Sequence, residues 1–455
     1  MCPQRHVRLV CLLVTALHFL PQVALAETLT GAMAKAYQNN PDLNAARAAL
    51  RAVDENVTIA KAAMRPHVAG IVEAEASRTR FDKTASKIDT RTSSYGITIN
   101  QQIFDGFQTL YRVKAAEANV LANREALRAQ EISILLAAVE AYANIARDQT
   151  IVSIRKQNIA FLLEQVSAAK ARLKVGEGTR TDVNLAEAEL ASARALLTAA
   201  ASSLKQSEAA YVQIVGETPK GISQPSPSGN AMPSSLDSAV AAGMRENPNV
   251  LAAMRGADAA GYSVKEAEGA MLPGVSLQGS VYKSVNSEEG GPDNLRGAIS
   301  ARLTVPLYQG GAEYGQIRQA KERLGESRLL VDSARMEVQR TIVSAHAQYD
   351  ASNASVAAIR AQINAANEAL NGVIEERNVG QRTTLDVLNA QQNVLDAKED
   401  LAAVQRNAVV ASYSLLAAMG TLTVRNQGLQ VAEYRAEVHY EAVKDKWFGL
   451  RTVHE

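Results

Sequence analysis

The chain has 455 residues, a net charge of +1 and an aromatic content of only 4%. Because positive and negative charges nearly balance, the chain has no strong positive potential that would attract nucleic acid, and we expect no nucleic-acid partner. The abundance of Ala, Leu, Glu, Gln and Arg is typical of long helices and predicts a mainly helical protein.

Residues 1–26 are predicted to be a cleaved export signal. A basic start precedes the apolar run Leu9–Leu20, and a cleavage site of small residues ends at Ala26. Both cysteines, Cys2 and Cys11, lie within this segment, so we expect the exported chain to have no disulfide, no cysteine metal site and no lipidated cysteine. Beyond it, no apolar stretch approaches the ~20 residues of a membrane helix, so any membrane crossing requires β-strands.

The rest of the chain carries one pattern twice in the same order, which predicts two large repeats rather than a short solenoid. We place the first repeat at 27–216, a linker at 217–235, the second repeat at 236–420 and a C-terminal segment at 421–455. The matching positions are Leu29, Asn40-Pro41, Pro66, Gly106, Val175-Gly176, Asp182 and Gly216 in the first copy, and Leu236, Asn247-Pro248, Pro273, Gly310, Val379-Gly380, Asp386 and Gly420 in the second.

Each repeat is predicted to open with a helix of moderate length. Asn40 and Asn247 are suited to cap this helix, and each is followed by a proline in the first turn, where the missing N–H has no cost. Pro66 and Pro273 disfavour continuation, so we expect these helices to end just before them.

A pair of strands follows the opening helix in each repeat. Apolar and polar residues alternate at period two within 68–104 and 273–308, in segments of about ten residues that are typical of outer-membrane strands. We expect polar loops at 82–92 and 284–295 between the paired strands.

Two very long helices are predicted next, at 107–175 and 312–378, with return helices at 181–215 and 383–419. At 1.5 Å per residue, each long helix measures about 100 Å, and the opening helix stacks on the return helix to match that span. The return helices carry apolar residues at heptad spacing. In the second copy these residues form two adjacent columns, so we expect that helix to pack against a neighbour on both sides. Such packing indicates a ring of helices. These columns are Val183, Leu190, Leu197, Leu204 and Tyr211, then Val387, Val394, Leu401, Ala408 and Leu415 beside Leu388, Leu395, Ala402, Val409 and Leu416.

This combination resembles the TolC family of outer-membrane exit ducts. The most family-like stretch runs from Val379 to Leu395, and a weaker copy runs from Val175 to Leu190. The resemblance implies a homotrimer in the bacterial outer membrane, with four strands per chain completing a 12-stranded β-barrel above a long periplasmic α-helical coiled-coil barrel. The residues alone indicate only that several chains pool their strands, because a membrane barrel needs at least eight.

The family resemblance also implies a function and its partners. The chain would be the passive exit duct of a tripartite efflux pump, a type I secretion system or both, carrying small toxic compounds or proteins. The implied partners are a periplasmic adaptor protein, an inner-membrane RND or ABC transporter, and outer-membrane lipid. The adaptor is expected to dock at the tip turns, around Val175-Gly176 and Val379-Gly380.

By resemblance, Asp386 lies at the pore constriction, where symmetry gathers three carboxylates in a ring that favours cations. The family often has a second aspartate where this chain has Asn389, which implies weaker cation selectivity. The alternative is that Asp386 is a first-turn acid that complements the helix dipole, as Asp182 would in the other copy.

Family members hold the tip closed through polar links between their two hairpins. The matching positions here are Arg382, Thr181 and Asp182. Arg377 replaces the tyrosine that the family usually has, so we expect an Arg377–Asp182 ion pair to substitute for that link.

No catalytic constellation, phosphate-binding glycine loop or histidine pair at metal-ligand spacing is present in the sequence. We therefore expect no enzyme activity, no cofactor and no metal site. The competing interpretation is a soluble periplasmic coiled-coil scaffold, in which the four alternating segments form ordinary hairpins.

Overall fold

A computed structural model describes residues 27–81, 86–228, 232–286 and 293–453. The predicted export signal lies outside these residues. The helices are α1 (Leu29–Asn39), α2 (Pro41–Ala62), α3 (Gln108–Lys174), α4 (Arg180–Val215), α5 (Leu236–Glu246), α6 (Pro248–Gly269), α7 (Ala312–Asn378), α8 (Thr384–Ala418) and α9 (Ala436–Val443). The strands are β1 (His67–Phe81), β2 (Ser86–Phe104), β3 (Gly274–Asn286) and β4 (Asn294–Thr304).

The helices form a single-layered wall of four columns. Helices α3 and α7 are unbroken columns of 67 residues each. The other two columns are composite, because α2 meets the end of α4 and α6 meets the end of α8. The contacts between helices give the order α2/α4, α3, α6/α8 and α7 across the wall.

One asparagine joins the two helices of each composite column. The Oδ1 atom of Asn40 accepts hydrogen bonds from the first-turn amides of α2, while its Nδ2 donates to the Ile214 carbonyl at the end of α4, at 3.0 Å. Asn247 repeats this arrangement between α6 and the Ala418 carbonyl of α8, at 2.8 Å. Both side chains are buried, so each satisfies helix-end groups that water cannot reach.

A glycine in the left-handed region lets each junction close tightly. Gly216 has φ of +85° and Gly420 has φ of +77°. A Cβ atom on Gly420 would lie 2.7 Å from both the Asn247 Cα and the Glu246 carbonyl oxygen. The second junction therefore has no room for any side chain at this position.

The four strands form one antiparallel sheet in the order β1-β2-β3-β4. Its register aligns the apolar residues of all strands on one face, through pairs such as Val72 with Tyr95 and Ile97 with Val281. Many of these side chains are exposed, including Val72 at 86% and Ile299 at 83%. Within the described residues, β1 and β4 have no strand on their outer sides.

The strands extend further into the predicted loops than the sequence analysis placed them. Residues 86–92 belong to β2, and the pairing is reinforced where Arg78 and Asp89 face each other across the ladder with bonds of 2.6 and 2.8 Å. This cross-strand ion pair offsets the polar composition on which the loop prediction rested. Residues 82–85 and 287–292 of the predicted loops lie outside the described residues.

Two short helices, α1 and α5, were not predicted. They precede the junction asparagines and pack beside the long helices, with Met33 and Ala239 fully buried. The main core lies here, where α1, the linker and the C-terminal segment gather against α3 and α8. The Tyr142 hydroxyl donates to the Glu27 carbonyl at 2.6 Å within this core.

The two apolar columns of α8 face different neighbours, as predicted. Val387 and Val394 pack with Leu370 of α7, whereas Leu388 packs with Leu162 of α3. Both columns are buried along most of the helix. A helix whose two buried columns face different neighbours is typical of a wall, because a helix on the surface of a closed bundle buries one broad face.

We predict that Gly420→Ala destabilises the protein more than Gly428→Ala does. Both glycines have positive φ, so each alanine carries a backbone strain of about 1 kcal/mol. Only position 420 adds a collision with backbone atoms, which costs about 2 kcal/mol more. Apparent melting temperatures measured by circular dichroism in detergent test this, and equal temperatures for the two variants would contradict the tight junction.

Candidate functional site at the hairpin tips

The α3–α4 and α7–α8 hairpins end in turns of the same design. After α3, the Gly176 amide donates to the Leu173 carbonyl and the Glu177 amide to that of Arg172. Gly380 and Gln381 repeat these bonds after α7, and both glycines have positive φ. This glycine-terminated motif ends each long helix at a fixed residue. Val175 and Val379, just before the glycines, are 70% and 73% exposed.

Each return helix then begins with a reciprocal capping box. The Thr179 hydroxyl accepts from the Asp182 amide, and an Asp182 carboxylate oxygen accepts from the Thr179 amide at 3.0 Å. Thr383 and Asp386 form the same box in the second copy. Hydrogen bonds from the cap threonines hold the pKa of each aspartate below its usual range. Both carboxylates are therefore charged at neutral pH.

Asp386 belongs to the capping box at the start of α8, which agrees with the alternative interpretation of this residue as a first-turn acid. Its Oδ2 atom accepts from both the amide and the hydroxyl of Thr383. Asn389, one turn further along, is exposed, and so is Thr181 in the first copy. The pore role of Asp386 depends on neighbouring copies and stays a prediction.

The basic latch candidates have partners other than Asp182. Nη1 of Arg377 donates to Gln165 of α3 at 2.6 Å, and Arg382 forms an ion pair with Glu376 at 2.7 Å. Burial and the nearby Arg172 lower the pKa of Arg377 from its usual value. The structure thus does not bring Arg377 and Asp182 together, and their ion pair stays a prediction for another arrangement of the tips.

A row of polar contacts that the sequence analysis missed connects the two hairpins of one chain. On α3, Asn158, Gln165 and Arg172 are spaced by heptads and lie along one stripe. Their partners are Gln391 at 2.9 Å, Arg377 at 2.6 Å and Asn378 at 3.1 Å, respectively. The heptad spacing of these polar residues was the signal that could have revealed the row.

A separate ion pair between α3 and α8, one turn before Asn158, is largely shielded from water. Nη2 of Arg155 lies 2.7 Å from Oε2 of Glu399, and the two side chains are 15% and 20% exposed. Burial raises the pKa of Glu399, and its Oε1 atom is buried without a hydrogen-bond partner in the described part of the chain. The charged form of the Glu399 carboxylate is therefore stabilised mainly by Arg155.

The described ranges contain no group of three or more His, Cys, Asp or Glu side chains that could hold a metal ion. Across the same residues, every helix is too short or too polar to cross a membrane. The tips carry charged and hydrogen-bonding groups on two turns and two capping boxes of the same design.

Comparison with known proteins agrees with this architecture. Residues 32–217 and 244–421 match the family described as "Outer membrane efflux protein". The outer membrane efflux protein BepC of Brucella suis biovar 1 (strain 1330) is 47% identical, over 95% of this chain and 93% of its own. The alkaline protease secretion protein AprF of Pseudomonas aeruginosa is 26% identical, over 88% and 85%. The crystal structure of the Campylobacter jejuni CmeC outer membrane channel has a TM-score of 0.77 at 16% identity, covering 92% of this chain and 89% of that one.

The fold and these matches define a class of protein, the subunits of bacterial outer-membrane channels. The chain belongs to the outer membrane efflux protein family. Membership confirms the resemblance to the TolC family and the mainly helical fold with a four-stranded sheet per chain. It also confirms the predicted location in the outer membrane, with the helical part extending into the periplasm.

We predict that Arg155→Met loosens the contact between the two hairpins. The substitution leaves the Glu399 carboxylate uncompensated in a shielded site, at a cost of about 2 kcal/mol. Hydrogen exchange of the α3 and α8 amides in the folded protein in detergent measures this loss as faster local opening.

Two controls accompany this variant. The double variant Arg155→Met with Glu399→Met should recover most of the protection, because no lone charge remains. Arg340→Met, which removes an exposed pair with Glu337, should leave exchange unchanged. Equal exchange in Arg155→Met and Arg340→Met would show that the Arg155–Glu399 pair does not hold the hairpins.

Proposed function

We propose that three copies of this chain form one continuous tube, which passively conducts small toxic compounds or proteins out of the cell. The observation that carries this proposal is the pair of open edges on the wall. Strands β1 and β4 end the sheet, and the α2/α4 column and α7 end the helical layer. Because four strands cannot close a membrane barrel, copies must supply the missing wall.

Exposed apolar residues on the edge columns support this assembly. Leu329, Leu330 and Met336 of α7 are 72%, 57% and 72% exposed in the single chain. On the opposite edge, Ile59 of α2 is 67% exposed. A neighbouring copy that joins α7 to the α2/α4 column would cover both sets.

The sheet argues against the competing soluble scaffold. Its apolar face is exposed across all four strands, with Val72, Ile299 and Leu303 at 86%, 83% and 65%. A sheet in water normally hides its apolar face under other elements. An exposed apolar face of this kind is suited to contact with membrane lipid.

The proposed partners follow from the position of the tips. A periplasmic adaptor would dock in the grooves around Val175-Gly176 and Val379-Gly380, and an inner-membrane RND or ABC transporter would supply the energy. We propose that the duct itself carries out no catalytic step. The names of BepC and AprF support efflux and protein secretion, respectively, as the two cargo classes.

We further propose that Asp386 lines the narrow entrance, where three copies of it form an acidic ring beside Asn389. The capping box fixes each carboxylate at the start of α8, and hydrogen bonds from Thr383 lower its pKa in the single chain. Arg382, Thr181 and Asp182 would hold neighbouring tips together in the closed state. Three nearby carboxylates favour cations in the entrance.

A double variant, Leu330→Asp with Met336→Asp, tests the assembly. Charges on the α7 edge should prevent the neighbouring wall from closing, so the trimer should give way to monomers in native mass spectrometry from detergent. Val438→Asp, on the exposed face of α9, is the control and should leave the trimer intact. A trimer that survives the double variant would refute this edge as the interface.

Asp386→Asn should lower cation selectivity in planar bilayers, because the ring loses its charge. Asp237→Asn is the control, since it removes an exposed first-turn carboxylate from α5, which lies away from the tip turns. Asn389→Asp should raise selectivity by adding a second ring. If Asp386→Asn and Asp237→Asn shift the reversal potential equally, Asp386 does not line the constriction.

A further inference from the structure

The segment after α9 follows α2 toward the sheet. The Thr58 hydroxyl donates to the Val443 carbonyl at 2.6 Å, Lys61 pairs with Asp445 at 2.6 Å, and Arg65 donates to the Lys446 carbonyl at 2.7 Å. Thr58 and Lys61 lie in the last turns of α2, and Arg65 follows its end. The segment therefore reaches the level of His67, where β1 begins.

The start of this segment is firmly attached. Nδ1 of His439 lies 2.9 Å from the buried Asp54 carboxylate, which holds α9 against α2. The Arg65 guanidinium lies 4.9 Å from the centre of the Trp447 ring. The residues that follow are thus held at the end of α2, just before β1, and are not a loose tail.

Residues 447–450 form a loop with an apolar surface. Nζ of Lys446 donates to the Arg451 carbonyl at 2.7 Å and closes the loop, and Gly449 has φ of +113°. Trp447 is 64% exposed, Phe448 89% and Leu450 fully exposed. We call residues 447–450 the WFGL loop.

Other exposed aromatic and apolar side chains lie, like the WFGL loop, at the end of the sheet that adjoins the helices. Phe107 follows β2 and is 50% exposed, and Tyr308 follows β4 and is 81% exposed. The exposed apolar face of the sheet starts at the same level, with Val68. Aromatic residues concentrate at the boundary between lipid chains and headgroups.

Basic groups border the loop. Arg65, Lys446 and Arg451 lie at or next to its ends, and long basic side chains reach phosphates while their stems stay in apolar surroundings. Anionic headgroups attract such a cluster. The loop thus combines an apolar tip with a cationic rim.

We propose that the WFGL loop inserts into the periplasmic leaflet of the outer membrane and binds phospholipid at the headgroup boundary. This inference rests on the proposed channel and extends it, since the contact lies outside the sheet itself. Insertion of such a surface typically reaches about 5–10 Å into the boundary region. The loop would fix the height of the duct relative to the bilayer.

Trp447 is the only tryptophan of the chain, so its fluorescence reports on the loop alone. The channel is reconstituted in nanodiscs of phosphatidylcholine and phosphatidylglycerol, with bromine on the acyl chains either near the headgroup or near the methyl end. We expect strong quenching by bromine near the headgroup, weaker quenching by deep bromine, and limited quenching by aqueous acrylamide.

Phe448→Asp with Leu450→Asp should withdraw the loop, which reduces quenching by brominated lipid and increases quenching by acrylamide. Val438→Asp, on α9, should change neither. Native mass spectrometry and conductance are measured on the same preparations, so loss of the trimer is distinguished from loss of lipid contact. Acrylamide access without lipid quenching would overturn the proposal, and so would shielding from both quenchers, which would indicate contact with another chain.

Discussion

The hydrogen bonds of Asn40 and Asn247 are the constraint on which the wall depends. Each long helix has 67 residues, and the return helices of 36 and 35 residues span only about half of that length. A second helix must fill the remaining span, and its end must meet the first without unsatisfied backbone groups. A single amide side chain serves both ends, because it accepts from one helix and donates to the other.

Much of the fold could be predicted from local chemistry. Proline and asparagine mark the starts of α2 and α6, and the apolar columns of α8 indicate its two neighbours. Helices α1 and α5 were missed because an N-cap asparagine followed by proline predicts only the helix after it. Asn40 and Asn247 are also the C-cap residues of α1 and α5, respectively. The strand ends were mispredicted because a polar residue such as Asp89 is stabilised in β2 by its cross-strand partner Arg78, which composition does not reveal.

The candidate site was less predictable than the fold. The tip turns and capping boxes follow from glycine and the Thr-x-x-Asp spacing, which act over a few residues. The partners of Arg377 depend on how two hairpins lie side by side, and Gln165 is far away in sequence. Whether Asp386 faces a pore depends on other copies, whose contacts no single sequence position encodes.

The open edges of the wall have a genetic consequence. A subunit that is sound on one edge and damaged on the other can still join a neighbour through its intact side, yet it leaves the ring unclosed. Such an allele would interfere with the wild-type copy when both are expressed, whereas an allele damaged on both edges would simply be recessive. In the proposed trimer, the stability of each subunit would likewise depend on the concentration of the chain.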